Sequence, residues 1–154
     1  MISRKKNFST AIVLTFVFLL TQCDTGFSPR QPLDKELLFR EWKLKSLYRV
    51  VNGDGEDLVR TMNACDADNV FEFKSSGDYV VREGASKCDA SSEEIIETAH
   101  WSLSEFNTRI KLKYQNGDSV LYEVLFMSVA GLDLISKEKQ GADSVTWITK
   151  FQPN

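Results

Sequence analysis

Eight short segments in which apolar and polar residues alternate, cut apart by turn-forming residues, narrow what this chain can fold into more than any other feature. They run over 41–51, 69–74, 78–82, 99–104, 109–115, 119–129, 132–137 and 144–151. Successive side chains on a strand point to opposite faces, so a period of two gives each segment one dry side and one wet side. Segment 109–115 is the cleanest, with Ile110, Leu112 and Tyr114 set against Arg109, Lys111 and Lys113. In 41–51 the alternating set is Trp42, Leu44, Tyr48 and Val50, and in 144–151 it is Val145, Trp147, Thr149 and Phe151. Turn chemistry at hairpin spacing separates them, as at Ser76-Gly77-Asp78, Asn116-Gly117-Asp118, Ala130-Gly131 and Gly141-Ala142-Asp143. There is no long helical stretch to serve parallel crossovers. The pattern predicts an all-β fold, an eight-stranded antiparallel up-and-down barrel whose closure hides its sheet edges.

A short helical turn is expected over 33–39, where Asp34 caps and Leu33, Leu37 and Leu38 share a face. Segment 91–97 reads equally as a helix start, with Ser91 and Glu94 as a capping box, or as an extension of the strand that holds Trp101. Segment 119–129 is apolar on both sides: Val120, Tyr122, Val124 and Phe126 lie on one, Leu121, Leu125 and Met127 on the other. One of those sides must meet something besides the interior, either the 33–39 turn or a partner protein.

Ahead of this domain stands a different kind of sequence. Arg4, Lys5 and Lys6 precede an apolar run over 11–20, the length of a signal h-region and short for a membrane span. Leu20-Thr21-Gln22-Cys23 resembles a lipobox, with Gln22 standing where a small residue is usual. The resemblance implies a removable signal peptide over 1–22 and acylation of Cys23 by palmitate-type chains. A protein so modified is anchored to a membrane without spanning it, since each buried methylene contributes about 0.8 kcal/mol. The next residues, 23–32, hold two of the chain's three prolines and no apolar period, and read as an extended tether to a domain over 33–154.

Loss of the signal would leave 132 of the 154 residues, enough for one core. Three of the 19 basic residues and none of the 22 acidic ones lie in the signal, so the remainder carries 16 against 22, a net −6. That balance excludes nucleic acid as a partner, which requires a basic face. Of the three cysteines, Cys65 and Cys88 remain after lipidation of Cys23, and an exported chain favours a disulfide between them. The alternative is two free thiols or half of a metal site, with no Cys or His nearby in sequence to complete tetrahedral coordination.

Several of these residues together resemble the small lipocalin-like domain lipoproteins of Gram-negative bacteria. They are the run from Leu38 through Trp42 to Leu47, then Cys65, Val70-Phe71-Glu72-Phe73, Gly77-Asp78-Tyr79, Cys88 and Trp101-Ser102-Leu103. The resemblance covers most of the domain and implies a lipocalin-like barrel with a Trp near the start of its first strand, the place Trp42 occupies. Lipocalins proper have Gly two residues earlier, where this chain has Arg40. It also implies a cell-envelope location, lipid-anchored at the outer membrane, and a barrel interior that takes up a small apolar or amphipathic molecule. Trp42, Phe71, Phe73, Tyr79, Trp101 and Trp147 are the candidate ligand-binding residues.

Motifs for other chemistry do not assemble. His100 is the chain's only histidine, beside Trp101 and on the opposite strand face, and there is no Gly-x-Ser-x-Gly elbow. The loop Asn52-Gly53-Asp54-Gly55-Glu56-Asp57 has alternating oxygen ligands but lacks the downstream bidentate Glu of a calcium loop, and reads as a solvated hairpin tip. No glycine-rich phosphate loop, metal set or cofactor motif is present. Binding therefore leads the functional classes, docking on another envelope protein comes second, and catalysis is a distant third. An eight-stranded barrel is just wide enough to be filled by side chains or to hold one small ligand. Alternation sets Trp42, Leu44, Phe71, Phe73, Tyr79, Trp101, Leu103, Ile110, Leu112, Leu132, Leu134, Val145, Trp147 and Phe151 inward, and their size predicts filling, with only a narrow cavity or an end cleft. A continuous apolar pocket of several hundred Å³ is the outcome that favours a carrier.

Overall fold

The computed structural model describes residues 32–91, 93–104 and 106–154. The signal segment 1–22, the lipidation at Cys23 and the tether as far as residue 31 lie outside the described residues. Within them, nine strands follow one another: β1 (Glu41–Val51), β2 (Asp54–Asp57), β3 (Val70–Phe73), β4 (Asp78–Arg82), β5 (Ile95–Ser104), β6 (Arg109–Tyr114), β7 (Ser119–Ser128), β8 (Gly131–Gln140) and β9 (Asp143–Pro153). Two four-residue helices, α1 (Lys35–Leu38) and α2 (Ala64–Ala67), and a 3-10 turn at Leu58–Arg60 complete the described elements. None of these helices is long and apolar enough to cross a membrane.

All pairings are antiparallel. The strands run β1-β3-β4-β5-β6-β7-β8-β9, and β9 returns to pair with β1 from Trp42↔Pro153 to Val51↔Val145. That pairing closes an eight-stranded up-and-down barrel. The ninth strand, β2, is an addition: Asn52 and Gly53 turn the chain with φ of 52° and 98°, and Asp54–Asp57 lies back along Tyr48 to Val51.

One end of the barrel is closed. The Asp34 side chain accepts from the Glu36 amide at 3.1 Å, which starts α1, and the short helix sets Leu38 into the barrel beneath Trp42. Leu38, Trp42, Ile110 and Leu132 are all fully buried. Complete burial of a Leu contributes about 1.5 to 3 kcal/mol, so the plug supplies a sizeable part of the stability of this small domain. Trp42 also donates its Nε1 hydrogen to the Leu38 carbonyl at 3.3 Å, while the Arg40 guanidinium lies 5.4 Å over the indole. Such contacts favour this indole position over a phenyl ring of similar size.

Three register shifts correct the simple alternation. An additional residue in β1, between Leu44 and Ser46, lets Leu47 join Leu44 at the interior and carries Tyr48 and Val50 to the other face. In β7 the shift between Val124 and Phe126 pairs Val124 with Leu134 and Met127 with Leu132. Val124 and Met127 therefore pack on the core, and Phe126, expected beside Val124, is 51% exposed. In β5, Val81 faces Glu97 and Arg82 faces Ile95, leaving Ile96 as the extra residue. A bulge inserts one residue without its own partner and so reverses the inside-outside parity beyond it. The ambiguous segment 91–97 resolves in the same place, because β5 begins at Ile95.

Candidate functional site

The half of the barrel away from α1 is hollow. A cavity of about 370 Å³ lies there, near the lower end of the range that takes small ligands. Its deeper surface comes from Phe73, Leu112, Leu134 and Phe151, all buried in the core, and its side walls from Leu44, Leu47, Phe71 and Val81. Met62, Asp66, Ile96 and Glu97 form the rim. The expectation of a filled interior is thus corrected. The three tryptophans lie outside the lining, and Phe71, Phe73, Tyr79 and Phe151 stand as walls around the space and leave it open.

The tryptophans make this plain. Trp42 belongs to the closed-end plug. Trp101, 6% exposed, packs edge-on against Phe73 with ring centres 6.0 Å apart and donates to the Lys74 carbonyl at 2.9 Å. Trp147 stands toward the open end, where its Nε1 hydrogen goes to Glu138 Oε1 at 2.9 Å and Arg49 lies 5.9 Å from its ring. None of the three lines the cavity, whereas Phe71, Phe73 and Tyr79 do.

Polar groups enter the cavity through tyrosines. Tyr79 of β4, Tyr114 of β6 and Tyr122 of β7 converge on its lining with Glu97 of β5. Tyr114 donates to the Glu97 carboxylate. Burial raises all three phenols, that of Tyr122 to about 12 with the Glu97 charge adding to the effect, so each is a neutral hydroxyl at ordinary pH. Burial also lifts the Glu97 carboxyl above the usual glutamate range, opposed by the Tyr114 hydrogen bond. Asn69 and Thr149 add an amide and a hydroxyl. Glu97 was hidden in the sequence by the polar run around it, although its parity with Ala99, Trp101 and Leu103 signals an inward position.

The rim is stapled. Cys65 of α2 and Cys88 of the β4–β5 connection form a disulfide with Cα atoms 5.2 Å apart, within the usual range. Asp66 Oδ1 lies 3.3 Å from the Cys88 sulfur. This grouping of Cys65, Asp66 and Cys88 is a bridge beside a carboxylate, because both sulfurs are spent in the S–S bond and neither is a free thiolate for a metal. A few residues on, the Asp68 carboxylate accepts from the Ser86 amide at 2.9 Å. Gly84 is pressed so tightly to Asp68 that an added Cβ would lie 2.2 Å from its carbonyl oxygen. The β2–β3 and β4–β5 connections are therefore clasped to each other at the mouth.

The remaining polar residues singled out in the sequence lie elsewhere. His100 is exposed on β5, with its Cε1 2.6 Å from where a Cβ on Gly77 would stand. The acidic loop does not wrap around an ion site: Asp57 Oδ1 accepts from the amides of Leu47 and Val59, and Asp54 to Asp57 are paired along β1. The chain matches no protein-family model and no curated protein sequence.

Proposed function

We propose that this protein is a membrane-anchored, lipocalin-like lipoprotein that binds one small apolar or amphipathic molecule inside its barrel. The observation that carries the reading is the cavity of about 370 Å³, apolar in its depth and polar at a stapled rim. Apolar walls supply affinity by removing ligand surface from water, and a few convergent polar groups fix orientation.

Anchoring fits the same geometry. The described chain begins at Pro32 beside the closed end, where the Leu33 amide donates to the Asn107 carbonyl at 2.9 Å. Exposed Phe39, Phe106 and Val129 lie at that end, Phe106 being 95% exposed. Acyl chains on Cys23 would bring this apolar end to the bilayer and leave the mouth facing away. Cys23→Ser is expected to release the protein from membrane fractions, and unchanged membrane association would refute acyl anchoring.

The binding test uses N-phenyl-1-naphthylamine, a neutral dye that brightens in apolar surroundings, with the acyl-free domain. Saturable uptake at one dye per barrel is expected. Leu47→Trp, which sets an indole into the cavity wall, should abolish uptake while the thermal melt remains cooperative. Dye that does not bind, or that binds Leu47→Trp equally well, would refute an internal site.

A further inference from the structure

The charge of the cavity lining is one-sided. Asp66 and Glu97 are its ionisable carboxylates, and none of the residues that line it is Lys, Arg or His. The inward-facing cation above the wall, Arg49, is engaged with the Trp147 ring at 5.9 Å and donates to Gln140 Oε1 at 3.3 Å. Asn69, also on the lining, has its side-chain oxygen shut from solvent and without a hydrogen-bond partner. That oxygen sits behind the wall, so the polar face the cavity offers a ligand comes from the Glu97 and Asp66 carboxylates and the tyrosine hydroxyls. The lining also carries the aromatic rings of Phe71, Tyr79, Tyr114 and Tyr122, a residue type whose ring quadrupoles attract cations.

On the reading that the barrel binds a ligand, we propose that its occupant is an apolar molecule ending in an ammonium or another hydrogen-bond donor, and that the cavity rejects carboxylate-ended chains such as fatty acids. The donor end lies at the rim by Glu97 and Asp66, and the apolar body lies among Leu112, Leu134 and Phe151. A carboxylate placed there meets two like charges and no counter-cation, which is how binding sites exclude a wrong partner. An alcohol of the same length can donate a hydrogen bond but carries no charge, and it falls between the two.

Displacement of N-phenyl-1-naphthylamine by decylammonium, decanol and decanoate, each below its micelle concentration, tests this directly. Decylammonium is expected to act at a concentration about tenfold lower than decanoate, a difference of about 1.4 kcal/mol, with decanol between. Glu97→Gln should draw the amine and carboxylate values together, and Glu56→Gln, an exposed change on β2, should not. Decanoate competing as well as decylammonium, or a ratio unmoved by Glu97→Gln, would overturn the proposal while the dye still reports an internal site. Failure of the dye itself to bind is the separate outcome that removes the carrier reading beneath it.

Discussion

Replacing both Cys65 and Cys88 by Ala removes the staple across the mouth and leaves little else changed, because neither residue is buried in the core. The bridge spans 23 residues, and in the chain-entropy model it removes about 11 cal/mol/K from the unfolded chain, or about 3.4 kcal/mol at 25 °C. Unfolding entropies of about 2.1 cal/mol/K per residue, summed over residues 32–154, make each kcal/mol equivalent to about 4 °C in midpoint. The full effect is then about 13 °C, and residual compactness of the denatured chain reduces it to about 10 °C. Differential scanning calorimetry of the two proteins under non-reducing conditions measures it, and dithiothreitol should bring the parent down to the variant without moving the variant. A midpoint within about 2 °C of the parent, or a parent that ignores the reductant, would refute the argument that the bridge constrains the unfolded chain. Loosening the rim should also weaken dye uptake, since Asp66 belongs to both the staple and the cavity lining.

Gly84→Ala is expected to cost about 1 to 3 kcal/mol in urea unfolding, because its Cβ meets the Asp68 backbone oxygen, which cannot swing away as a side chain would. Equal stability would mean that the two connections are not clasped. The Glu41 carboxyl is held below its ordinary range, first by the Asn154 amide and then by Arg82. Its contribution is therefore present above the usual glutamate pKa and lost as the pH falls through the lowered folded value, so Glu41→Gln should flatten the acid limb of the stability curve. The side chain is 43% exposed, which limits the change to about 0.2 to 1 kcal/mol, and an acid limb identical to that of the parent would contradict the assignment.

The barrel was largely legible in the sequence because its strands obey a period of two over short lengths, as in Ile110, Leu112 and Tyr114. The Asp34 cap, the first helical turn and the pairing of the two internal cysteines were also readable from local chemistry. What escaped depends on features that leave no compositional trace. Asp54-Gly55-Glu56-Asp57 has no strand preference and is held as β2 by its pairing with Tyr48 to Val51. Each bulge adds one residue of no special type and reverses parity beyond it, which is why alternation groups Tyr48 with Leu44 and Phe126 with Val124, although Leu47 and Met127 are the residues that share their inner face. The cavity itself depends on depth along the barrel axis. An inward tryptophan near a strand end, such as Trp42, plugs the barrel and leaves the cavity unlined by it. Alternation gives the face of a residue and says nothing of its height.

The claim that the interior holds one small donor-bearing amphipath is tested most directly by native mass spectrometry of the protein extracted from membranes in mild detergent. The expected spectrum has one additional noncovalent mass per chain beyond the covalent lipid, released on collisional activation as a cation or a neutral molecule and missing from Leu47→Trp. A spectrum with only the bare acylated chain, or with a released carboxylate in stoichiometric amount, would contradict it.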